Sequence, residues 1–535
     1  MSYPSLRCNV GNETGMAPTF CNRCGDAVEE QCDPKDELAE LDALLERLTL
    51  KRYDLKRKVN RFHSPIVRQL PPDVTSTIFE FCLPDFMDHP LSPYTREDLS
   101  LPLSLGAICS YWRNVAWSTP SLWSSLVVLN PSEYNSHRFT GIAQDWLARS
   151  GQLPLSIRIL STFYNRTVLA LVDIINQYSI RWSDLDLYIP DHYYQHFRAT
   201  DNHAPLLKSI RFYCTANANA ATARKLKFQL KCPRLERATL SYCQMGEINI
   251  QWDNLTHLTL YAMSIIDSFL ILRKTPRLVF CRASGFCSHD SEQSIGAPVI
   301  TSLRSLQLQH TTNIAAEKFL DNLIAPDLEE FNLPLYYIPS IEVVISFLRR
   351  SICSLRSLSM VFSILPQYHF EDFTNLLQSM HSLTTLSISS ITTLEIATPE
   401  EYHPRNILQL VAKVLFSQGT PLQQGFLPNL KILEYTGKLY LHTGNYDDLY
   451  PLPPADNAVH GPLQLLKLDL FPTIRIPRNV IAYISSLAER GVTVNVLSDL
   501  EDILQSSIDY YKCREDFLCR RDSDWTDNFD STLFP

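Results

Sequence analysis

The chain has 535 residues, with 48 Lys and Arg against 57 Asp and Glu, a net charge of −9. A content of 45% apolar and 20% charged residues fits a folded chain with a large core and more than one structural unit. The acidic balance gives no reason to expect nucleic-acid binding, and 15 glycines, under half the usual ~7%, leave few of the phosphate-cradling loops that many enzymes need.

The first twenty residues, MSYPSLRCNVGNETGMAPTF, lack the apolar stretch of a secretory signal. No run approaches the ~20 apolar residues of a membrane span. The expectation is an intracellular protein, in cytoplasm or nucleus, whose fourteen cysteines stay reduced and form no disulfides. Residues 1–32 read as an irregular tail carrying Cys8, Cys21, Cys24 and Cys32. The two-residue gap between Cys21 and Cys24 would suit a zinc ion. Cys8 and Cys32, however, sit at a spacing that matches no known ribbon or finger, so no metal is assigned.

Residues 33–64 form one helix. Leu38, Leu41, Leu45, Leu48, Leu55, Val59 and Phe62 recur at steps of three and four, with Arg52 at the one polar seam position, a heptad pattern. Its charge is polarised. Glu29, Glu30, Asp33, Asp36, Glu37, Glu40, Asp42 and Glu46 precede Arg47, Lys51, Arg52, Lys56, Arg57, Lys58 and Arg61. The apolar stripe either pairs residues 36–62 with a second copy, antiparallel so that acid meets base, or lies on the chain's own body. The seam arginine weakens a dimer and favours the second reading.

The next unit spans residues 65–124. Leu70-Pro71-Pro72-Asp73 is a helix start, because proline suits the first turn and Asp73 sits at the positive end of the helix. Val74, Ile78, Phe79, Phe81 and Cys82 then recur at helical spacing until Pro84. A second helical run carries Leu103, Leu105, Ile108, Cys109, Trp112, Val115 and Ala116, and Trp117, Leu122 and Trp123 close the unit. This order, Leu-Pro, Ile-Phe, Cys-x-x-Trp-Arg and Leu-Trp, resembles the F-box, with an insertion near 85–101 like that of the F-box-like variant of mushroom-forming fungi.

Beyond Trp123, SLVVLN (125–130) and LPLSIRIL (153–160) read as strands, and Gly151 as a helix stop. A period then emerges. The pattern L-x-x-L-x-L, with other apolar residues allowed, starts at Trp182, Leu207, Leu235, Leu255, Leu278, Leu303, Leu328, Leu355 and Leu383, in steps of 20–28 residues, and returns at Leu430 and Leu465. Strands of this pattern at this spacing mark leucine-rich repeats, which stack into a curved solenoid. The fold expected is α/β: an N-terminal helix, a helical F-box, and a curved leucine-rich-repeat solenoid over 125–498. Helices are expected near 265–272, 315–323, 341–348 and 373–380. Insertions fall near 391–425, with a helix at 406–416, and near 440–462. An acidic tail, 499–535, begins as a capping helix.

No catalytic signature occurs. P-loop, dinucleotide-binding, nucleophile-elbow and zinc-protease patterns are all missing, and His192 and His196 have no carboxylate between them. Residues between the repeat leucines point to the open face of the strands: Asp184, Asp186, Tyr188, Arg211, Tyr213, Arg237, His257, Tyr261, Gln307, Gln309, Glu330 and Asn332. Of these, Tyr188, Arg211, Arg237, Tyr261 and Glu330 are the candidate target-binding residues. An F-box followed by repeats is similar to the substrate receptors of SCF-type ubiquitin ligases. The resemblance implies a non-catalytic subunit without cofactor. It docks a Skp-type adaptor, and through it a cullin, by Leu70, Pro71, Ile78 and Phe79. Cys109, Trp112, Leu122 and Trp123 would support the unit, and the repeats would bind an unidentified protein target. The alternative is an interaction scaffold outside any ligase, in which the F-box-like unit caps the solenoid.

Overall fold

A computed structural model of the chain describes residues 34–63, 70–84, 100–162, 164–199, 201, 203–214, 228–243, 248–286, 297–309, 313–335, 341–362, 375–390, 427–438, 463–471, 476, 478–498 and 501–523. The four N-terminal cysteines, both expected insertions with the 406–416 helix, and most of 85–101 lie outside these residues. The chain divides into two compact units, Met1–Leu122 and Trp123–Pro535.

The first unit contains four described helices: α1 (Pro34–His63), α2 (Pro72–Phe81), α3 (Leu101–Ile108) and α4 (Ser110–Ser118). Helix α1 carries the heptad pattern, yet its described side chains, 36–59, are all exposed. The run expected as a single second helix is two. Cys109 adopts an extended conformation (φ −156°, ψ 168°) and its Sγ accepts a hydrogen bond from the Trp112 N–H at 3.4 Å, so it ends α3 and caps α4. Gly106 on α3 is required by packing, because a Cβ there would fall on the six-membered ring of Trp117.

The second unit is mixed α/β, built on one sheet of fifteen strands whose spatial order is their order in sequence. Its strands are β1 (Ser125–Leu129), β2 (Leu155–Leu160), β3 (Trp182–Ile189), β4 (Ser209–Cys214) and β5 (Arg237–Ser241). Next come β6 (His257–Tyr261), β7 (Phe280–Ser284), β8 (Ser305–Gln309), β9 (Glu330–Leu335) and β10 (Ser357–Phe362). The last are β11 (Thr385–Ser390), β12 (Ile432–Lys438), β13 (Leu465–Phe471), β14 (Thr493–Ser498) and β15 (Glu501–Asp502). Every neighbouring pair is parallel except β14–β15. All eleven repeat strands read from the sequence are present. Helices fall between strands at Ser136–Arg149, Arg166–Asn176, Ile265–Leu272, Asn313–Asp321 and Ile341–Ser351. The first stops at Gly151, which takes a positive φ of 59° as expected. A helix at Arg478–Glu489 and the strand β14 behind it extend the sheet past the last recognised repeat, and the tail opens as the helix Ile503–Ser523.

The register explains why leucine recurs. The first leucine of most repeats lies just before its strand and closes a tight turn: the amides of Leu235, Leu255, Leu278, Leu328, Leu383 and Leu430 each donate to the carbonyl three residues back. The second leucine position of the first ten repeats, continued by Leu466 of β13, forms a column: Leu185, Ile210, Ala238, Leu258, Cys281, Leu306, Phe331, Leu358, Leu386, Leu433 and Leu466, neighbour paired with neighbour. All are buried. Each fully buried leucine- or phenylalanine-sized side chain contributes about 1.5–3 kcal/mol. Each repeat therefore supplies one strand to the sheet, and its column residue pairs with those of the strands on either side.

Candidate functional site

In the first unit, α2 divides its apolar residues between two faces. Thr75 and Phe79 turn inward, 1% exposed each, with the Phe79 ring centroid 4.9 Å from that of Trp112. Val74, Ile78 and Phe81, at helical steps of four and three, stay 41%, 43% and 87% exposed, and Ile108 on α3 is 58% exposed. Leu70 is half-buried and Pro71 exposed. The Tyr111 hydroxyl donates to the Leu70 carbonyl at 3.0 Å, and the Ser121 hydroxyl donates to the Glu80 carboxylate. Both ends of α2 are thereby tied to the segment that contains α4. Phe79 is therefore not a surface residue, which corrects the expectation that it faces a partner. Adjacent helical positions differ by about 100°, so Ile78 and Phe79 cannot share one face. Trp112 is half-buried against Phe79, and Leu122, the last residue of this unit, is buried. Trp123 opens the second unit instead, with its ring 4.8 Å from Trp146 and beneath the Arg149 guanidinium at 4.9 Å.

In the second unit, the residues alternating with the apolar column form a polar one: Arg158, Asp186, Arg211, Thr239, Thr259, Arg282, Gln307, Asn332, Ser359, Ser387, Glu434 and Lys467, in register from strand to strand. Its charged end lies at β2–β5. Arg158 Nε donates to Asp186 Oδ2 at 2.7 Å, and Arg211 Nη1 reaches the same oxygen at 3.5 Å. Arg237 Nη2 lies 3.9 Å from Asp184 Oδ1, and the Ser156 hydroxyl donates to Asp184 Oδ2 at 3.2 Å. Asp186 is 3% exposed and Arg158 4%. This corrects the expectation that Asp186 faces solvent, since arginines on both neighbouring strands cover it. Burial pushes its carboxyl above the ordinary range, while the Arg158 and Arg211 guanidiniums pull it back. Burial first, and the Asp186 charge second, push the Tyr213 phenol up to about 12.

Of the five candidate target-binding residues, Tyr188, Arg211, Arg237 and Tyr261 lie on β3 to β6. Glu330 stands apart on β9, exposed like Arg237. Tyr188 and Tyr213 pair in register with ring centroids 5.8 Å apart, and Tyr213 and Tyr261 both pair with Ser241. The sequence reading missed Arg158, the residue that holds the charged end together. The available signal was an arginine in the alternating run LSIRIL, one repeat before Asp186. Among the described residues no group of His, Cys, Asp and Glu could hold a metal ion, and no helix is long and apolar enough to cross a membrane. No protein-family model matches the chain, and no curated protein is significantly similar to it.

Proposed function

We propose that this protein is the target-recognition subunit of an SCF-type ubiquitin ligase. Its F-box-like unit binds a Skp-type adaptor, and its repeats, stacked as a curved leucine-rich-repeat solenoid, hold a protein target. The observation that carries the first half is the stripe Val74, Ile78 and Phe81, preceded by Leu70-Pro71 and left exposed on a small helical unit. Apolar side chains at this spacing on an outer helix face are what a partner helix or groove takes up. The second half rests on the parallel sheet, one strand per repeat, whose tyrosines, arginines and amides lie in register across the strands. Tyrosine and arginine are the side chains that most often anchor protein interfaces. The receptor then contributes proximity, holding a target beside the charged conjugating enzyme, and no chemistry of its own.

The test is capture of the full chain by a purified Skp-type adaptor, wild type against the Leu70→Ala, Ile78→Ala double variant. Binding by the wild type and its loss in the variant are expected. A wild-type chain that the adaptor fails to capture removes the ligase reading and leaves the interaction scaffold. Small-angle scattering of the second unit, with an arc-shaped particle expected, tests the solenoid.

A further inference from the structure

We infer that α1 is a self-association helix that pairs antiparallel with α1 of a second copy. The inference stands apart from the ligase reading. Helix α1 has 30 residues, about 45 Å at 1.5 Å per residue. Its described apolar seam residues, Leu38, Leu41, Leu45, Leu48, Leu55 and Val59, are each between 52% and 60% exposed. An apolar seam repeated over several heptads drives helix pairing in water, and the charges beside the seam decide partner and direction.

Both orientations can be compared residue by residue. Seam positions are Leu38, Leu45, Arg52 and Val59 on one row and Leu41, Leu48 and Leu55 on the other; Glu37, Leu44, Lys51 and Lys58 flank the first row, and Asp42, Thr49 and Lys56 the second. In a parallel pair the flanking rows face each other. Glu37 would meet Asp42 of the second copy, Lys51 would meet Lys56, and Arg52 would sit opposite itself in the seam. Each of these contacts joins like charges.

In an antiparallel pair each flanking row faces its own kind, and one register brings the two seam rows level throughout. Leu41 then lies opposite Val59 of the second copy, Leu45 opposite Leu55, and Leu48 opposite Arg52. In this register the acidic stretch of each helix, Asp36 to Glu46, lies level with the basic stretch of the other, Lys56 to Arg61, and Asp42 comes within two residues of level with Lys56 of the second copy, twice by symmetry. Arg52 packs its aliphatic stem on a leucine instead of confronting another arginine. The polarised charge that also suits the helix dipole thus selects a second copy of this chain, running the other way, as the occupant of the seam. Two such chains would present two copies of each binding surface, which raises avidity for a target carrying repeated sites.

The experiment is sedimentation velocity of the full chain across the micromolar range, in low and high salt. A dimer that weakens with salt is expected. Leu45→Asp buries two carboxylates in the pair and should raise the dissociation constant at least ~100-fold, while circular dichroism shows the rest of the chain still folded. Glu37→Lys with Asp42→Lys, and separately Lys56→Glu with Lys58→Glu, should each yield monomers, and mixing the two variant chains should restore the dimer. A wild-type chain that stays monomeric overturns the inference. A dimer that survives Leu45→Asp, or charge variants that fail to recombine, overturns it as well.

Discussion

Asp186→Ala should loosen the charged end of the sheet more than any other single change there. The substitution removes the carboxylate whose Oδ2 lies 2.7 Å from Arg158 Nε and 3.5 Å from Arg211 Nη1. Arg158, with 5% of its side chain exposed, loses the carboxylate beside its Nε, and removing one partner of a buried ion pair costs about 3–5 kcal/mol. Arg158→Leu costs less, about 1–3 kcal/mol, because Asp186 keeps Arg211. The double change Arg158→Leu with Asp186→Leu should fall within about 1 kcal/mol of wild type, because Arg211, 22% exposed, can turn to water. Hydrogen exchange read on peptides from β2, β3 and β4 measures these costs where they arise. The Asp186→Ala cost corresponds to about two to four orders of magnitude in exchange rate, with β10 and β11 as the internal reference. An Asp186→Ala chain whose β2–β4 exchange stays at the wild-type rate would refute the reasoning, as would an Arg158→Leu chain that opens more readily than Asp186→Ala.

The same geometry yields other outcomes. Asp186 titrates higher in the folded chain than in the unfolded one, so its contribution to stability is fully present below the unfolded value of about 3.9. It is lost as pH rises through the folded value. Subtracting the Asp186→Asn stability profile from the wild-type profile should show that decline, and a rise over the window would contradict it. Phe79→Ala should cost the first unit about 3–5 kcal/mol, seen as earlier thermal unfolding, whereas Ile78→Ala should leave that transition in place. Gly106→Ala drives a methyl into the Trp117 ring and should cost about 1–3 kcal/mol, with the near-ultraviolet tryptophan signal changed. Cys281, buried and with its thiol pushed up to about 12, should resist iodoacetamide in the native chain while the exposed Cys82 and Cys513 react; mass spectrometry of the alkylated peptides decides.

The repeats were legible because their physics is periodic. A leucine at the turn and two more in the strand are the same demand made once per rung, so eleven strands could be read from L-x-x-L-x-L alone. Strand β14 escaped because TVNVLS puts valines at the inward positions and has no leading leucine. The break between α3 and α4 was hidden, since Ala107-Ile108-Cys109-Ser110-Tyr111 contains neither glycine nor proline and only the Cys109 backbone departs from the helix. In the candidate sites, the faces of the open sheet came from alternation, but the Arg158–Asp186–Arg211 cluster depends on register between strands about a repeat apart, which no local window contains. The opposite orientations of Ile78 and Phe79 were within reach of the helical period. The family pattern, which pairs the two residues, concealed them. For α1 the heptads were plain, but whether anything covered them had to come from the fold.

The outer face of α2, and not its buried face, is the surface proposed to dock a Skp-type adaptor. Calorimetric titration of the full chain with that adaptor tests it most directly, using wild type and the Val74→Asp, Ile78→Asp variant, with thermal unfolding to show that both are folded. Saturable binding by the wild type and none by the equally stable variant are expected. Wild-type heats no larger than dilution, or a variant that binds as tightly as wild type, would contradict it.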